Sequence, residues 1–183
     1  MSDKSRAIRW IVYLVAVIAV GYAGIRFGRT MRERTAPVVG EAPPFPFHPG
    51  DPFPDVALAD STGTVVRSVD LVAGHVVLFL DPNCDGCKDM ARRWEDALAA
   101  GLVEPEVVLA VSRETAEANE RYRAAHALTF PIYRDVEDAF VRQHGVVSYP
   151  MEVVVGTTGA IQSLSDDSKT PIDAASIHLQ LAR

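Results

Sequence analysis

Cys84 and Cys87 are the two cysteines of a 183-residue chain, and they stand as CxxC inside "FLDPNCDGCKDM" (Phe79–Met90). Two thiols at that spacing are open to three fates. They can be a redox pair, in which an outer thiolate attacks a disulfide and an inner thiol resolves the mixed disulfide. They can hold metal, or they can be two small core residues. Zinc normally takes four ligands in a closed site, and His48, His75, His126, His144 and His178 show no paired spacing that would complete one. Cu(I) needs only two or three thiolates, so a copper-binding or client-binding module whose thiols never cycle stays open as the alternative. A serine hydrolase is not indicated, because no GxSxG occurs.

The position of the pair matters as much as its spacing. The apolar run "HVVLFL" (His75–Leu80) reads as a strand buried on both faces. An Asp-Pro-Asn turn follows, and Met90, Trp94, Ala97 and Leu98 recur at helical spacing over Cys87–Ala100, closed by Gly101. Cys84 therefore sits at a helix N-terminus, where unpaired N–H groups favour an anion, and is expected to attack as the thiolate. Cys87, one turn further in, is expected to be buried and to resolve. Asp85 between them opposes the thiolate and tilts the pair toward a reductant, while Lys88 offsets it.

The remaining elements frame this centre. "GTVVRSV" (Gly63–Val69) reads as a short strand and "EVVLAVS" (Glu106–Ser112) as a second buried one. Helices are expected over Ala116–Ala127, capped by Thr115, and over Val136–His144, ended by Gly145. "FPIYRD" (Phe130–Asp135) reads as a short edge-type strand. "MEVVVG" and "AIQSLS" form a hairpin through Thr157–Gly159, and a last helix is expected from a Thr170 cap with Pro171 in its first position and Asp173 in its first turn. Strand-helix-strand units feeding a terminal hairpin and helix point to a three-layer α/β fold with a central mixed sheet.

These residues and their order resemble the thioredoxin superfamily, in particular its membrane-anchored TlpA/ResA-type thiol-disulfide oxidoreductases, with a weaker likeness to MauD in "PNCDGCK". The likeness covers Gly50–Arg183. It implies a thioredoxin-like sandwich, no cofactor beyond the redox-active disulfide, and no metal. It also maps a cis-proline onto Pro150 within "VVSYPMEVVVGTTGAI", with Tyr149 and Pro150 offering backbone hydrogen bonds to an incoming peptide. Three departures stand out: Asn83 where the family often has Trp, Gly86 where it often has Pro, and the wholly apolar Val76–Leu80 where thioredoxin buries a polar residue. Proton handling must then come from elsewhere. Glu152 is the first candidate, with Asp85 and Asp89 second. The plainer reading of Glu152 is an exposed strand residue paired with an arginine. Peroxidase chemistry is disfavoured because Asp81 stands where peroxiredoxins place Thr.

Charge and hydropathy divide the chain. Residues 1–9 form a short tail, and "WIVYLVAVIAVGYAGI" (Trp10–Ile25) carries no charge and no proline, so residues 10–27 are expected to be a transmembrane anchor. Its length of roughly 24 Å falls short of a ~30 Å hydrocarbon core by a gap that snorkelling Arg9 and Arg26 can close. A cleaved signal peptide is the competing reading, with Gly21–Ala23 as a loose cleavage site. Residues 28–54, rich in proline, are expected to be an extended tether, and residues 55–183 the thioredoxin-like domain.

Met1–Arg34 holds seven basic and two acidic residues; against chain totals of 18 and 24, the remainder keeps 11 basic and 22 acidic, a net −11. A domain so acidic repels phosphate backbones, so nucleic acid is not expected as a partner. Basic residues flank the apolar segment on both sides, so charge does not choose its orientation. The resemblance, and the persistence of disulfides outside the cytoplasm, imply a single-pass protein of the cell membrane with its domain on the periplasmic side. Expected partners are the lipid bilayer, disulfide-containing client proteins of the cytochrome c maturation or copper-centre assembly type, and a membrane electron donor.

Overall fold

The computed structural model describes residues 46–147, 149–165 and 171–181. The chain divides between Pro43 and Pro44, and all described residues fall in the second unit. The apolar segment Trp10–Ile25, the tether as far as residue 45 and the Thr170 cap lie outside the described residues. Among the described residues, no helix is long and apolar enough to cross a membrane.

Seven strands form one mixed sheet: β1 (Ala57–Ala59), β2 (Val65–Arg67), β3 (Val76–Phe79), β4 (Val108–Ser112), β5 (Ile132–Asp135), β6 (Met151–Val155) and β7 (Ile161–Ser165). Their order across the sheet is β2-β1-β5-β4-β3-β6-β7. The β3–β4 and β4–β5 pairs are parallel and the others antiparallel. Among the described residues, five helices accompany them: α1 (Ser68–Leu71), α2 (Asp85–Ala99), α3 (Ala116–Ala125), α4 (Ala139–His144) and α5 (Ile177–Leu181). The parallel pairs are joined through α2 and α3, as parallel strands require a crossover.

Alternation along the central strands builds two cores. Val76 and Leu78 of β3, Val108 and Ala110 of β4 and Val154 of β6 face Met90 and Trp94 of α2 and Tyr122 of α3. Val77, Phe79, Leu109, Val111, Met151, Val153 and Val155 face the other way, toward Phe140 of α4. This is why β3 reads as an unbroken apolar run: both of its faces are covered. The result is a thioredoxin-like α/β fold with a mixed sheet between two layers.

α2 carries the site, and both of its ends are closed by local chemistry. Cys87, Met90, Ala91, Trp94 and Ala97 form its buried stripe. At its far end Gly101 takes φ +66°, with Gly101 N–H donating to the Leu98 carbonyl and Leu102 N–H to that of Ala97, both at 3.0 Å. That pair of bonds is a Schellman closure, and the left-handed residue it needs is the glycine.

Four expectations are corrected. Residues 47–54 do not belong to an extended tether. Phe47 and Phe53 are buried in the second core, and Gly50 N–H donates to Ile161 O at 2.8 Å while Ile161 N–H donates to Asp51 O at 2.8 Å. Proline density there reflects turns around two aromatic anchors. β5 is not an edge strand, because β1, three residues too short to read in the sequence, pairs on its outer side. The 136–144 helix is a 3-10 turn at Val136–Asp138 followed by α4, with Glu137 and Asp138 at φ +62° and +53°. The last helix starts late: Pro171 precedes it, Asp173 accepts from Ala175 N–H in a 3-10 turn, and α5 begins at Ile177.

Candidate active site

The site is assembled where β3 ends. Asp81 Oδ1 accepts from Asn83 N–H at 2.8 Å, and the Asp81 carbonyl accepts from Cys84 N–H at 3.0 Å. This Asx-type turn brings the chain off the sheet and into α2. Cys84 is the N-cap residue, extended at φ −96° and ψ 123°, and its Sγ accepts from Cys87 N–H at 3.1 Å. Sulfur here takes the place of the usual Ser or Asp cap oxygen, and one N–H is aimed at the atom that must carry charge during attack. Cys84 is half-buried, whereas Cys87 is 0% exposed. Both are free thiols.

Cys87 is held differently. Its Sγ accepts from Asp81 N–H at 3.4 Å. Burial pushes its thiol well above the usual cysteine range, and the neighbouring Cys84 adds to the shift. Inner and outer thiols are thus distinguished by exposure: one is accessible and capped by an N–H, the other is buried and held protonated.

Opposite the cysteines stands the loop into β6. The Tyr149–Pro150 peptide bond is cis, and the Tyr149 carbonyl lies 3.9 Å from Cys84 Sγ. Gly86 packs against the same loop: a Cβ there would stand 3.2 Å from Pro150 Cδ. The absence of a side chain at 86 lets the proline ring close over the first turn of α2. Tyr149 touches both cores, and burial pushes its phenol up to about 12.

The charged candidates separate. Asp85, 95% exposed, pairs with Lys88 Nζ at 2.8 Å, and the ammonium beside it holds its carboxyl below the usual range. Lys88 in turn feels the charge on Cys84, so the pair offsets itself beside the thiol. Asp89 pairs with Arg92 at 3.1 Å on the exposed face of α2. Glu152 is not an exposed strand residue: it is 3% exposed and faces α2. It does pair with an arginine. Oε1 accepts from Arg93 and, at 3.0 Å, from Trp94 Nε1; Oε2 accepts from Ile172 N–H at 2.9 Å. Its hydrogen bonds thus run to α2 and the C-terminal segment rather than to the thiols.

Asp81, read from sequence only as a departure from the peroxiredoxin threonine, joins the site through the backbone bonds above. Two further residues were not singled out from sequence. Arg113, just past β4, lays its guanidinium over the Tyr149 ring at 5.7 Å. Tyr122 of α3 lies in the same apolar cluster as Cys87. Among the described residues, no group of three or more His, Cys, Asp or Glu gathers where it could hold a metal ion.

A family model described as the AhpC/TSA family matches residues 49–164. The chain belongs to the AhpC/TSA family. No curated protein matches it. Among solved structures, this AhpC/TSA domain is similar to a putative thiol:disulfide interchange protein DsbE from Chlorobium tepidum, at 24% identity and TM-score 0.57 over 74% of this chain and 96% of that one. It is also similar to a thio-disulfide isomerase from Thermus thermophilus, at 22% identity and TM-score 0.58, again over 74% and 96%. Peroxidoxin BcpB from Mycobacterium tuberculosis matches at 20% identity and TM-score 0.54, over 73% and 94%. At these identities the likenesses establish a thioredoxin-like fold, on which both disulfide exchange and peroxide reduction are built.

Proposed function

We propose that this AhpC/TSA-family chain is a TlpA/ResA-type thiol-disulfide oxidoreductase that works through Cys84 and Cys87. The observation that carries the reading is the asymmetry of the pair: a half-exposed sulfur at the N-cap of α2, 3.9 Å from the Tyr149 carbonyl, backed by a fully buried thiol one turn inside. Cys84 attacks a client disulfide and joins one client sulfur, releasing the other as a thiolate. Cys87 then displaces the client, leaving a Cys84–Cys87 disulfide and a client reduced by two electrons. The Tyr149–Pro150 backbone lines the approach, and Val147, 58% exposed, gives it an apolar rim.

In this reading the apolar segment Trp10–Ile25 anchors the chain in the cell membrane, with the domain on the side where disulfides persist. The clients are proteins of cytochrome c maturation or copper-centre assembly, and a membrane electron donor restores the dithiol. Cys87→Ser tests the exchange. It is expected to accumulate a client or model-peptide disulfide on Cys84, seen as an added mass removed by reductant. Cys84→Ser is expected to accumulate none, and equal trapping by both variants would overturn the assignment.

The family match also carries a second reading, peroxide reduction. Cys84 would take one oxygen as a sulfenic acid, and Cys87 would condense with it to a disulfide and water. Asp81 argues for the first reading, since it brings a carboxylate three residues ahead of the attacking sulfur. Steady consumption of hydrogen peroxide at the expense of a dithiol, faster than any disulfide reduction, would favour the second.

A further inference from the structure

Beside the nucleophile stands a cation that the domain does not neutralise. Arg113, just past β4, is exposed, and among the described residues its guanidinium joins no ion pair. What holds it is the Tyr149 ring, whose centroid lies 5.7 Å from Cζ. A guanidinium laid on an aromatic face keeps its N–H edge free to donate. The cations of α2 are matched already: Lys88 with Asp85, Arg92 with Asp89 and Arg93 with Glu152. Asp135 does not match Arg113. Burial raises its carboxyl, the Phe140 and Ala139 N–H groups that its two oxygens accept from lower it, and Arg113 adds a smaller lowering from a distance.

Tyr149 connects this cation to the chemistry. Its ring carries Arg113, and its carbonyl lies 3.9 Å from Cys84 Sγ, so a single residue spans the two. A client chain laid along the Tyr149–Pro150 backbone advances ~3.3 Å per residue and passes Arg113 within a few residues of its reactive cysteine. A carboxylate there meets a planar fork of donors with no ion-pair partner of its own. The chain beyond Arg34 is acidic overall, so its long-range field does not draw such a group in; the contact with Arg113 has to supply the attraction.

We infer that Arg113 is a specificity-determining residue of the exchange site: it pairs with a carboxylate side chain close to the client's reactive cysteine and so favours disulfides with acidic neighbours. The inference rests on the disulfide-exchange reading above. Arg113 exchanges no proton and no electron; it holds the approaching segment. Its effect therefore falls on the first attack, in which the Cys84 thiolate bonds to the client sulfur and the departing sulfur leaves with the electron pair.

Three short peptides that differ only in carrying Glu, Gln or Lys two residues from a single cysteine provide the test, each joined through that cysteine to a chromogenic aryl thiol. With the reduced full chain, Cys84 bonds to the peptide sulfur, the peptide–aryl bond breaks and the aryl thiolate leaves, so colour reads the first attack alone. The unsubstituted protein is expected to react with the Glu peptide about three- to fivefold faster than with the Gln peptide, the weight of one exposed ion pair. The Lys peptide is expected to be slowest, and the spread to narrow at about 0.5 M salt. In Arg113→Gln the Glu preference is expected to be lost. A merely structural role would slow all three peptides alike, which ratios within one protein remove. Equal rates for the three peptides in the unsubstituted protein overturn the inference, as does a Glu preference that persists in Arg113→Gln. Lys88→Gln removes the other nearby cation and is expected to keep the Glu preference. Its loss there would assign the effect to Lys88 and overturn the inference whether or not Arg113→Gln folds. Failure of the underlying reading is visible separately, as aryl release from all three peptides no faster than with Cys84→Ser.

Discussion

A thiol with no exposed surface titrates against its surroundings, and for Cys87 the consequence can be signed. Burial raises its pKa above the ordinary 9.0. The folded, reduced protein therefore keeps a proton that the unfolded chain gives up. The associated stability is fully present below pH ~9 and is lost progressively as pH rises above it. Tyr122 and Tyr149, raised from 10.0 to about 12, add the same slope only above their own ordinary value. Urea unfolding of the reduced protein between pH 9 and 10 is thus expected to show falling stability that Cys87→Ala largely removes. The residues that govern this were unequally visible in sequence. Cys84, Cys87, Tyr149 and Pro150 stand in contiguous motifs. Tyr122 and Arg113 come from elements whose local pattern says nothing about a thiol, and only the packing of α3 and the end of β4 brings Tyr122 into the apolar cluster of Cys87 and Arg113 over the Tyr149 ring. The signal that would have found Tyr122 is Asn119 and Tyr122 at i and i+3 on an otherwise polar helix, a spacing that turns both onto one face.

At the scale of elements, Glu152 ties three parts of the fold together. It stands opposite Leu78 in the β3–β6 register, at a position whose parity points into the core. Its carboxylate joins β6 to α2 through Arg93 and Trp94, and to the C-terminal segment through Ile172. Glu152→Ala leaves a partly buried guanidinium, an indole N–H and a backbone N–H without their acceptor. It is expected to destabilise the domain by about 3–5 kcal/mol, measured by urea unfolding, whereas Glu152→Gln, which keeps an acceptor oxygen, is expected to cost less. The same strand shows where sequence reading holds and where it stops. β3, β4 and β6 are legible because a strand covered on both faces must be apolar throughout. β1 is not, because Ala57–Ala59 is too short for an alternation to register, and without it β5 has no visible outer neighbour. Asp135 adds a further misdirection: its buried carboxylate accepts from Ala139 N–H at 2.9 Å and Phe140 N–H at 3.0 Å, which delays α4 beyond the point where the apolar period begins.

For the whole molecule, the question is where the folded domain begins. Phe47 and Phe53 pack into the core formed by Phe79 and Phe140, with the Phe53 and Phe140 rings edge to face at 5.7 Å. Phe53→Ala is expected to cost about 3–5 kcal/mol, as for other buried phenylalanines, again by urea unfolding. A true tether residue would cost nothing measurable. That outcome separates a domain starting near Phe47 from one starting after Pro54. The central claim is that Cys84 and Cys87 form one redox couple, and its most direct test is equilibration of the full chain in graded thiol-disulfide buffers, quenched by alkylation and counted by mass at each cysteine. The account predicts a cooperative change from two free thiols to a Cys84–Cys87 disulfide, at a potential near or below the thioredoxin value of about −270 mV. Two free thiols across the whole range would contradict it and leave metal or client binding as the role of the pair.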